Sequence, residues 1–323
     1  MYILKAQVHT NLGFLLNLED PSLMSSILPV DNETLLHSVE QAMTQYIDQR
    51  AMAGNLREAI RYALMGGGKR LRPMLVVRCC EAVGGSIQAA LAPAAAIEMV
   101  HTFSLVHDDL PAMDDDDLRR GRPTLHKHAS EAMAILAGDA MLGLAIELLL
   151  SQADEKVAPL LSLELLRANN DMITGQVHDT LPDFPADMPE MDRLRTIHHH
   201  KTGALIRCAC RMGAIAGGAT NTQLAAITRY ASAIGLMFQV VDDILDVTQS
   251  TEHLGKTAGK DVQQGKLTYP SLIGLDASRQ VVVDLQIEAH EALKALENSG
   301  DESLKPRIAT LRELCDYLAV RSR

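Results

Sequence analysis

Between Ser104 and Thr124 the chain reads SLVHDDLPAMDDDDLRRGRPT, which sets six aspartates, Asp108, Asp109, Asp114, Asp115, Asp116 and Asp117, directly before Arg119, Arg120 and Arg122. Carboxylates this close repel one another, and a cation held among them relieves that repulsion more fully than solvent does. Mg²⁺ takes one or two carboxylates and completes its octahedron with water and phosphate oxygens, so acids beside arginines point to a metal-bridged phosphate ester. An isolated acidic run is more often a solvated turn, here around Pro111, so the decision falls to the rest of the chain.

A second acidic site lies more than a hundred residues on, in FQVVDDILDV. On a helix Gln239, Asp242, Asp243 and Asp246 share one face, and Val240, Val241, Ile244 and Leu245 largely share the other. Carboxylates on an otherwise buried helix must face metal, cations or a wet cavity, because burying them unpaired costs several kcal/mol. His101 stands two turns before Asp108 on the same helix face, at a rise of about 10 Å. MGGGKRLRP places glycines and the cations Lys69, Arg70 and Arg72 at a helix start, where backbone N–H groups also favour anions. It is not a nucleotide P-loop, because Ala63 stands in place of the first glycine and Arg70 follows the lysine. Lys201-Thr202-Gly203 and the loop cations Lys256, Lys260 and Lys266 are individually weak signals. Taken together, two aspartate sites and several cationic clusters describe a cavity for more than one highly charged phosphate group.

The elements that must position these groups read as helices. Trp is absent, aromatics are 3 %, and Ala, Leu and Met are abundant, so strand formers are scarce. Asp31 with Thr34 caps a helix on which Leu35, Val39, Met43 and Ile47 recur at helical spacing. Further helices are expected over 56–65, from Pro73, over 91–110, 131–151, 159–174, from Met191, over 222–248, 271–299 and 304–319, with a proline-rich loop at 181–189. The segment 91–110 is apolar nearly all round and belongs at the centre of a bundle. No strand, repeat or linker stands out, which predicts one all-α domain over 24–323, with 1–23 as an N-terminal extension outside the fold.

Composition excludes other classes. The formal charge of −11 argues against a nucleic-acid partner, since a binder needs a basic face. Five cysteines, two of them the neighbours Cys79 and Cys80, suit a reducing cytoplasm, and no secretory signal is evident. The longest apolar run, 141–150, is ten residues and holds Glu147, so no membrane span is expected. Cys208, Cys210 and His198 to His200 do not make a zinc site, because residues two apart on a helix point to different faces.

GGGKRLRP, HTFSLVHDDLPAMDDDDLRRGRPT, GQVHD, HKTGALIR, FQVVDDILDV and LGKTAGKDVQQGKLTYP, in that order, resemble the trans-isoprenyl diphosphate synthase family, and among its members bacterial farnesyl diphosphate synthases. The resemblance runs from about Asp31 to the end of the last motif and beyond. It implies one large orthogonal bundle around a central cavity, a homodimer, and small diphosphate substrates. It implies that Asp108, Asp114 and Asp242 hold three Mg²⁺, with Mn²⁺ able to substitute, and that Asp109, Asp243 and Asp246 support them. It implies that Arg119, Lys201 and Lys256 contact the allylic diphosphate, that Lys69, Arg72, His101 and Arg120 hold the diphosphate of isopentenyl diphosphate, that Lys266 is a further substrate-binding residue, and that Thr202 and Gln239 lie beside the reacting carbons. The reaction implied is carbocation chain elongation without a protein nucleophile, ending at farnesyl diphosphate.

Product length is expected from Phe103, with Ser104 beside it, because the residue five before the first aspartate closes the product pocket in this family. The family's GGQxxDL appears here as TGQVHDT, keeping Gln176 and Asp179. Geranyl and geranylgeranyl diphosphate are the alternative products. A metal phosphohydrolase built on His107-Asp108 would leave Asp242 to Asp246 unexplained, and a regulatory subunit that had lost activity would be expected to lose aspartates or substrate lysines that this chain keeps.

Overall fold

The computed structural model describes residues 31–248, 266–297 and 301–321. Lys256 and Lys260, most of the motif that contains them, and the segment 1–23 lie outside the described residues. The protein is 79 % helical with almost no sheet, which makes it all-α. In chain order the helices are α1 (Asn32–Gln49), α2 (Gly54–Leu64), α3 (Leu71–Ala82), α4 (Ile87–Asp108), α5 (Leu125–His128), α6 (Glu131–Gln152), α7 (Ala158–Thr180), α8 (Glu190–His198), α9 (Ala204–Ala216), α10 (Asn221–Thr248), α11 (Tyr269–Ile273), α12 (Leu275–Glu297) and α13 (Lys305–Val320). A π-helical turn, His199–Gly203, joins α8 to α9.

Local chemistry sets the helix starts. Asp31 accepts from the Thr34 N–H at 2.9 Å, Ser130 from Met133 at 3.1 Å and Ser86 from Ala89 at 3.4 Å, each satisfying an N–H that the helix itself cannot. Helix α4 occupies the centre, packed on α3, α6 and α9. Alanines at 90, 92 and 94–96 leave little bulk on it, so neighbouring backbones approach closely. The helix α9 runs against α3 so tightly that a Cβ on Gly213 would sit 2.1 Å from the Val76 carbonyl oxygen.

Two elements differ from the sequence reading. A two-residue ribbon, β1 (Leu118–Arg119) with β2 (Arg122–Pro123), pairs antiparallel within the arginine segment. Arg120 (φ 55°) and Gly121 (φ 76°) form its turn, and positive φ at both central positions matches the twist of a tight hairpin. The helix expected over 271–299 is divided at Gly274, whose φ of 83° ends α11 before α12 begins. The membrane expectation also changes. Among the described residues α4, α6 and α10 are each long and apolar enough to cross a bilayer by length and composition, because helix-wide hydropathy tolerates an occasional charge such as Glu147. The apolar windows of α4 and α10 are 72 % and 56 % buried in the bundle, and that of α6 only 39 %.

Candidate active site

Both acidic motifs sit at the C-terminal ends of long helices. Asp108 is the last residue of α4, and Asp242, Asp243 and Asp246 lie in the last two turns of α10. The helix dipole is negative there, so carboxylates at these ends are disfavoured until a cation arrives. Beyond α4 the chain turns back on itself: Asp114 N–H donates to the Asp108 carbonyl at 2.8 Å, and Asp115, at φ 49°, donates to Leu110 at 3.2 Å. Burial, aided by the charges of Asp114 and Asp109, pushes the Asp108 carboxyl up to about 6, with Lys201 and Arg119 opposing. Asp109 is 3 % exposed and accepts from Arg119 Nε at 2.7 Å. Burial still raises it above the usual carboxylate range.

The glycine loop before α3 supplies the facing cations. Gly67 and Gly68 have φ of 81° and 118°, and Arg70 caps α3 in the left-handed region at φ 48°. The Arg120 guanidinium lies flat over Gly68, where a Cβ would come within 2.4 Å of Cζ, and donates to the Gly67 carbonyl. Arg70 turns inward to donate to Glu98 at 2.7 Å, to Glu40 at 3.2 Å and to the Leu64 carbonyl. Lys69 is exposed in the same loop, and Arg72 stands in the first turn of α3. Burial lowers Arg72 to about 10, so it stays charged at neutral pH, and its Nε is buried without a partner. His101 is held well below its ordinary value, first by burial and then by Arg72, Arg120, Arg119 and Arg70. A neutral imidazole among four guanidinium groups is a hydrogen-bonding surface for an anion.

On the opposite side, Lys201 projects from the π-helical turn and donates to Asp179 Oδ2 at 2.5 Å, an oxygen that also lies 3.4 Å from Lys266 Nζ. These two ammonium groups hold Asp179 below its usual range against the burial that would raise it. The turn can approach α7 only because residue 175 is glycine: a Cβ there would meet the Lys201 backbone nitrogen at 2.2 Å. Gly175→Ala is therefore expected to push Lys201 away from Asp179, costing about 1–3 kcal/mol of stability through overpacking and at least tenfold in turnover. Thermal melts beside steady-state kinetics check both halves. Thr202 lies in the same turn, half-buried.

The second motif is less uniform than its spacing predicts. Asp243 Oδ2 already accepts from the Tyr269 N–H at 2.9 Å and lies 3.2 Å from His198 Nε2, so half of this carboxylate is committed to the fold. Asp242 sits 3.4 Å from Gln239 Nε2 and 2.6 Å from Arg321 Nη2. Asp246 Oδ2 is buried with no partner among the described residues. An all-carboxylate donor set carrying an orphaned buried oxygen, at a negative helix end, fits a hard divalent cation such as Mg²⁺. Asp108, Asp114, Asp242 and Asp246 are the residues that could hold it.

Arg72, Arg119 and Arg120 lie near enough to His101 to disfavour its charged form, Lys201 and Lys266 meet at Asp179, and Gln239 lies beside Asp242. Lys201 is also among the charges that oppose the rise at Asp108. Phe103 and Ser104 lie further down α4, where Phe103 is 7 % exposed and packs edge-on against His107 at 5.6 Å. His107 fills the notch at Gly138 and bonds the Ile135 carbonyl at 3.2 Å, which spends it structurally and removes the phosphohydrolase reading. Cys208 and Cys210 are buried and unbridged. The reading of the motifs passed over Arg70 with Glu98, His198 with Asp243, and Arg321. An arginine ending the last amphipathic helix was the one available signal for Arg321.

Comparison with known proteins adds names to this geometry. A family-wide sequence profile described as Polyprenyl synthetase matches residues 54–299. Geranylgeranyl pyrophosphate synthase 11, chloroplastic, of Arabidopsis thaliana is 49 % identical over 273 residues, 82 % of this chain and 74 % of that one. The crystal structure of a geranyltransferase from Legionella pneumophila matches at TM-score 0.75 and 32 % identity, covering 90 % of this chain and 96 % of that one. An FPP/GFPP synthase from Zymomonas mobilis matches at TM-score 0.74 and 34 % identity, covering 88 % and 98 %.

Proposed function

Because the chain belongs to the polyprenyl synthetase family, we propose that it is a short-chain trans-prenyltransferase that joins isopentenyl diphosphate to an allylic diphosphate. The observation that carries this is geometric: aspartates gather at the C-terminal ends of α4 and α10, with Asp246 Oδ2 buried and unpartnered among the described residues, while the glycine loop holds Arg120 and α3 presents an Arg72 whose buried Nε is likewise unpartnered. The acidic groups call for a cation and the basic groups for an anion, as two differently held diphosphates would.

In this reading Asp108, Asp114, Asp242 and Asp246 would hold Mg²⁺, which would supply neutralisation of the charge that develops on the departing diphosphate. Lys201, Lys266 and Arg119 bind the same diphosphate and keep it aligned. Lys69, Arg72, Arg120 and His101 orient the isopentenyl diphosphate, so that its double bond meets the allylic carbon. Thr202 and Gln239 flank the carbons that react. No side chain is placed as a nucleophile; the released diphosphate takes the proton. The exposed apolar stripe of Ile135, Leu136 and Leu150 on α6 and Leu160, Leu163 and Ile173 on α7 supports a homodimer through this face, which sedimentation mass would report.

Product length rests on Phe103. Its buried ring lies five residues before Asp108, about 7–8 Å down the helix, and supports growth stopping at fifteen carbons. The names of the relatives favour the second reading, a twenty-carbon product. Phe103→Ala is expected to lengthen a fifteen-carbon product by one or more five-carbon units with little loss of rate, read by chromatography of the dephosphorylated products. A native twenty-carbon product, unchanged by Phe103→Ala, would reject the ring as the floor and leave the prenyl transfer intact.

A further inference from the structure

Far along the chain from both aspartate motifs, His290 on α12 faces Cys315 and Asp316 on α13. The Cys315 sulfur, an imidazole nitrogen of His290 and a carboxylate oxygen of Asp316 all lie within 4.8 Å of one another. We infer that these three side chains form a binding site for a borderline-soft divalent transition metal such as Zn²⁺, distinct in chemistry from the all-carboxylate motifs. Thiolate, imidazole and carboxylate are the usual protein ligands of Zn²⁺, at metal–ligand distances of about 2.0–2.3 Å. Three of them with a water complete a tetrahedron, and a separation below 5 Å is closed by small rotations about the side-chain bonds.

Three details support the assignment. His290 Nε2 lies 2.9 Å from Asp316 Oδ1, so imidazole and carboxylate already meet at the cluster. Gln286 Nε2 donates to Asp316 Oδ1 at 2.7 Å, the kind of outer contact that orients a ligating carboxylate. Cys315 is fully buried and unbridged, and among the described residues it is the cysteine placed with a histidine and an acid. Burial pushes its thiol up to about 12, so the free protein carries it protonated. Metal capture replaces that S–H by a metal–sulfur bond and releases the proton to buffer. One thiolate and one carboxylate balance the dication, so the loaded site is neutral and tolerates partial burial.

The site would clamp α13 onto α12. Six residues after Cys315, Arg321 reaches back to α10, where it bonds Asp242 and the Phe238 carbonyl and stacks on the Phe238 ring at 3.7 Å. Loading is therefore expected to protect the amides of α13 from hydrogen exchange as far as its C-terminal turn.

The test uses the full-length protein, stripped by a chelator, held in excess Mg²⁺ to occupy hard oxygen sites, and titrated with Co²⁺. The expected result is a near-ultraviolet thiolate-to-Co²⁺ charge-transfer band that saturates at one ion per chain and is bleached by Zn²⁺. Cys315→Ser abolishes the band. Gln286→Ala weakens Co²⁺ binding by about 10–100-fold, and His290→Gln by at least as much. Ions captured by the exposed His199 near Lys201 give no thiolate band. Absence of the band in the unaltered protein, or its survival in Cys315→Ser, would overturn the inference. Should Cys315→Ser not fold, unchanged Co²⁺ affinity in His290→Gln overturns it equally.

Discussion

Asp108→Asn is expected to lower prenyl transfer by on the order of 10²–10³-fold or more while raising the melting temperature of the metal-free protein at pH 8. The two effects share a cause. Burial, with Asp114 and Asp109 nearby, raises this carboxyl from 3.8 to about 6, so the fold prefers its neutral form. Ionising it between about pH 4 and pH 6 therefore removes stability, and the penalty is fully present above pH 6. Asparagine has the same shape and no charge to desolvate. Its advantage in melting temperature should vanish below about pH 4, where aspartate is neutral in both states. The same shift makes Mg²⁺ compete with a proton, so the half-saturating Mg²⁺ concentration of the unaltered protein should rise as pH falls below about 6. An asparagine variant that kept its activity, or that melted no higher at pH 8, would remove Asp108 from the role assigned to it.

Arg70→Met should have the largest effect on stability. Its guanidinium is buried with Glu98 at 2.7 Å, and it also holds Glu40 and the Leu64 carbonyl. Removing one partner strands the other charge, which typically costs about 3–5 kcal/mol. Denaturant midpoints measure that loss. Arg70 stands in a left-handed conformation between Lys69 and Arg72 at the start of α3, so loss of its anchor is expected to disturb both of these substrate-binding groups. The double variant Arg70→Met with Glu98→Leu separates the two roles. Stability is expected to recover to a large extent, since a buried ion pair exchanges well for apolar packing, while the KM for isopentenyl diphosphate stays raised. Recovery of both would show that the pair supports the fold alone.

The helices and both acidic motifs were legible because helical periodicity and clustered carboxylates are local signals. The 3.6-residue repeat of α1 and the capping residue Asp31 lie within a few positions of what they determine. The ribbon was hidden because its strands are two residues long, contain no β-branched residue, and depend on Arg120 taking a positive φ that nothing nearby announces. The break at Gly274 was hidden inside an apolar pattern that continues across it. Asp243 looked equivalent to Asp242 by spacing, and only tertiary contact shows that Tyr269 and His198 have claimed one of its oxygens. Contacts between distant segments carry no local trace. Arg321 meets Asp242 across 79 residues, Arg70 meets Glu98 across 28, and the glycine at 175 is explained only by a turn that follows 24 residues later.

The most direct test of the central claim is to incubate the purified full-length chain with Mg²⁺, dimethylallyl diphosphate and labelled isopentenyl diphosphate, and to size the dephosphorylated products. Label is expected to appear in prenyl alcohols longer than five carbons, chiefly at fifteen, and to disappear when Mg²⁺ is chelated. Label remaining at five carbons, with Mg²⁺ present and the protein folded, would contradict the assignment of the two aspartate motifs to prenyl transfer.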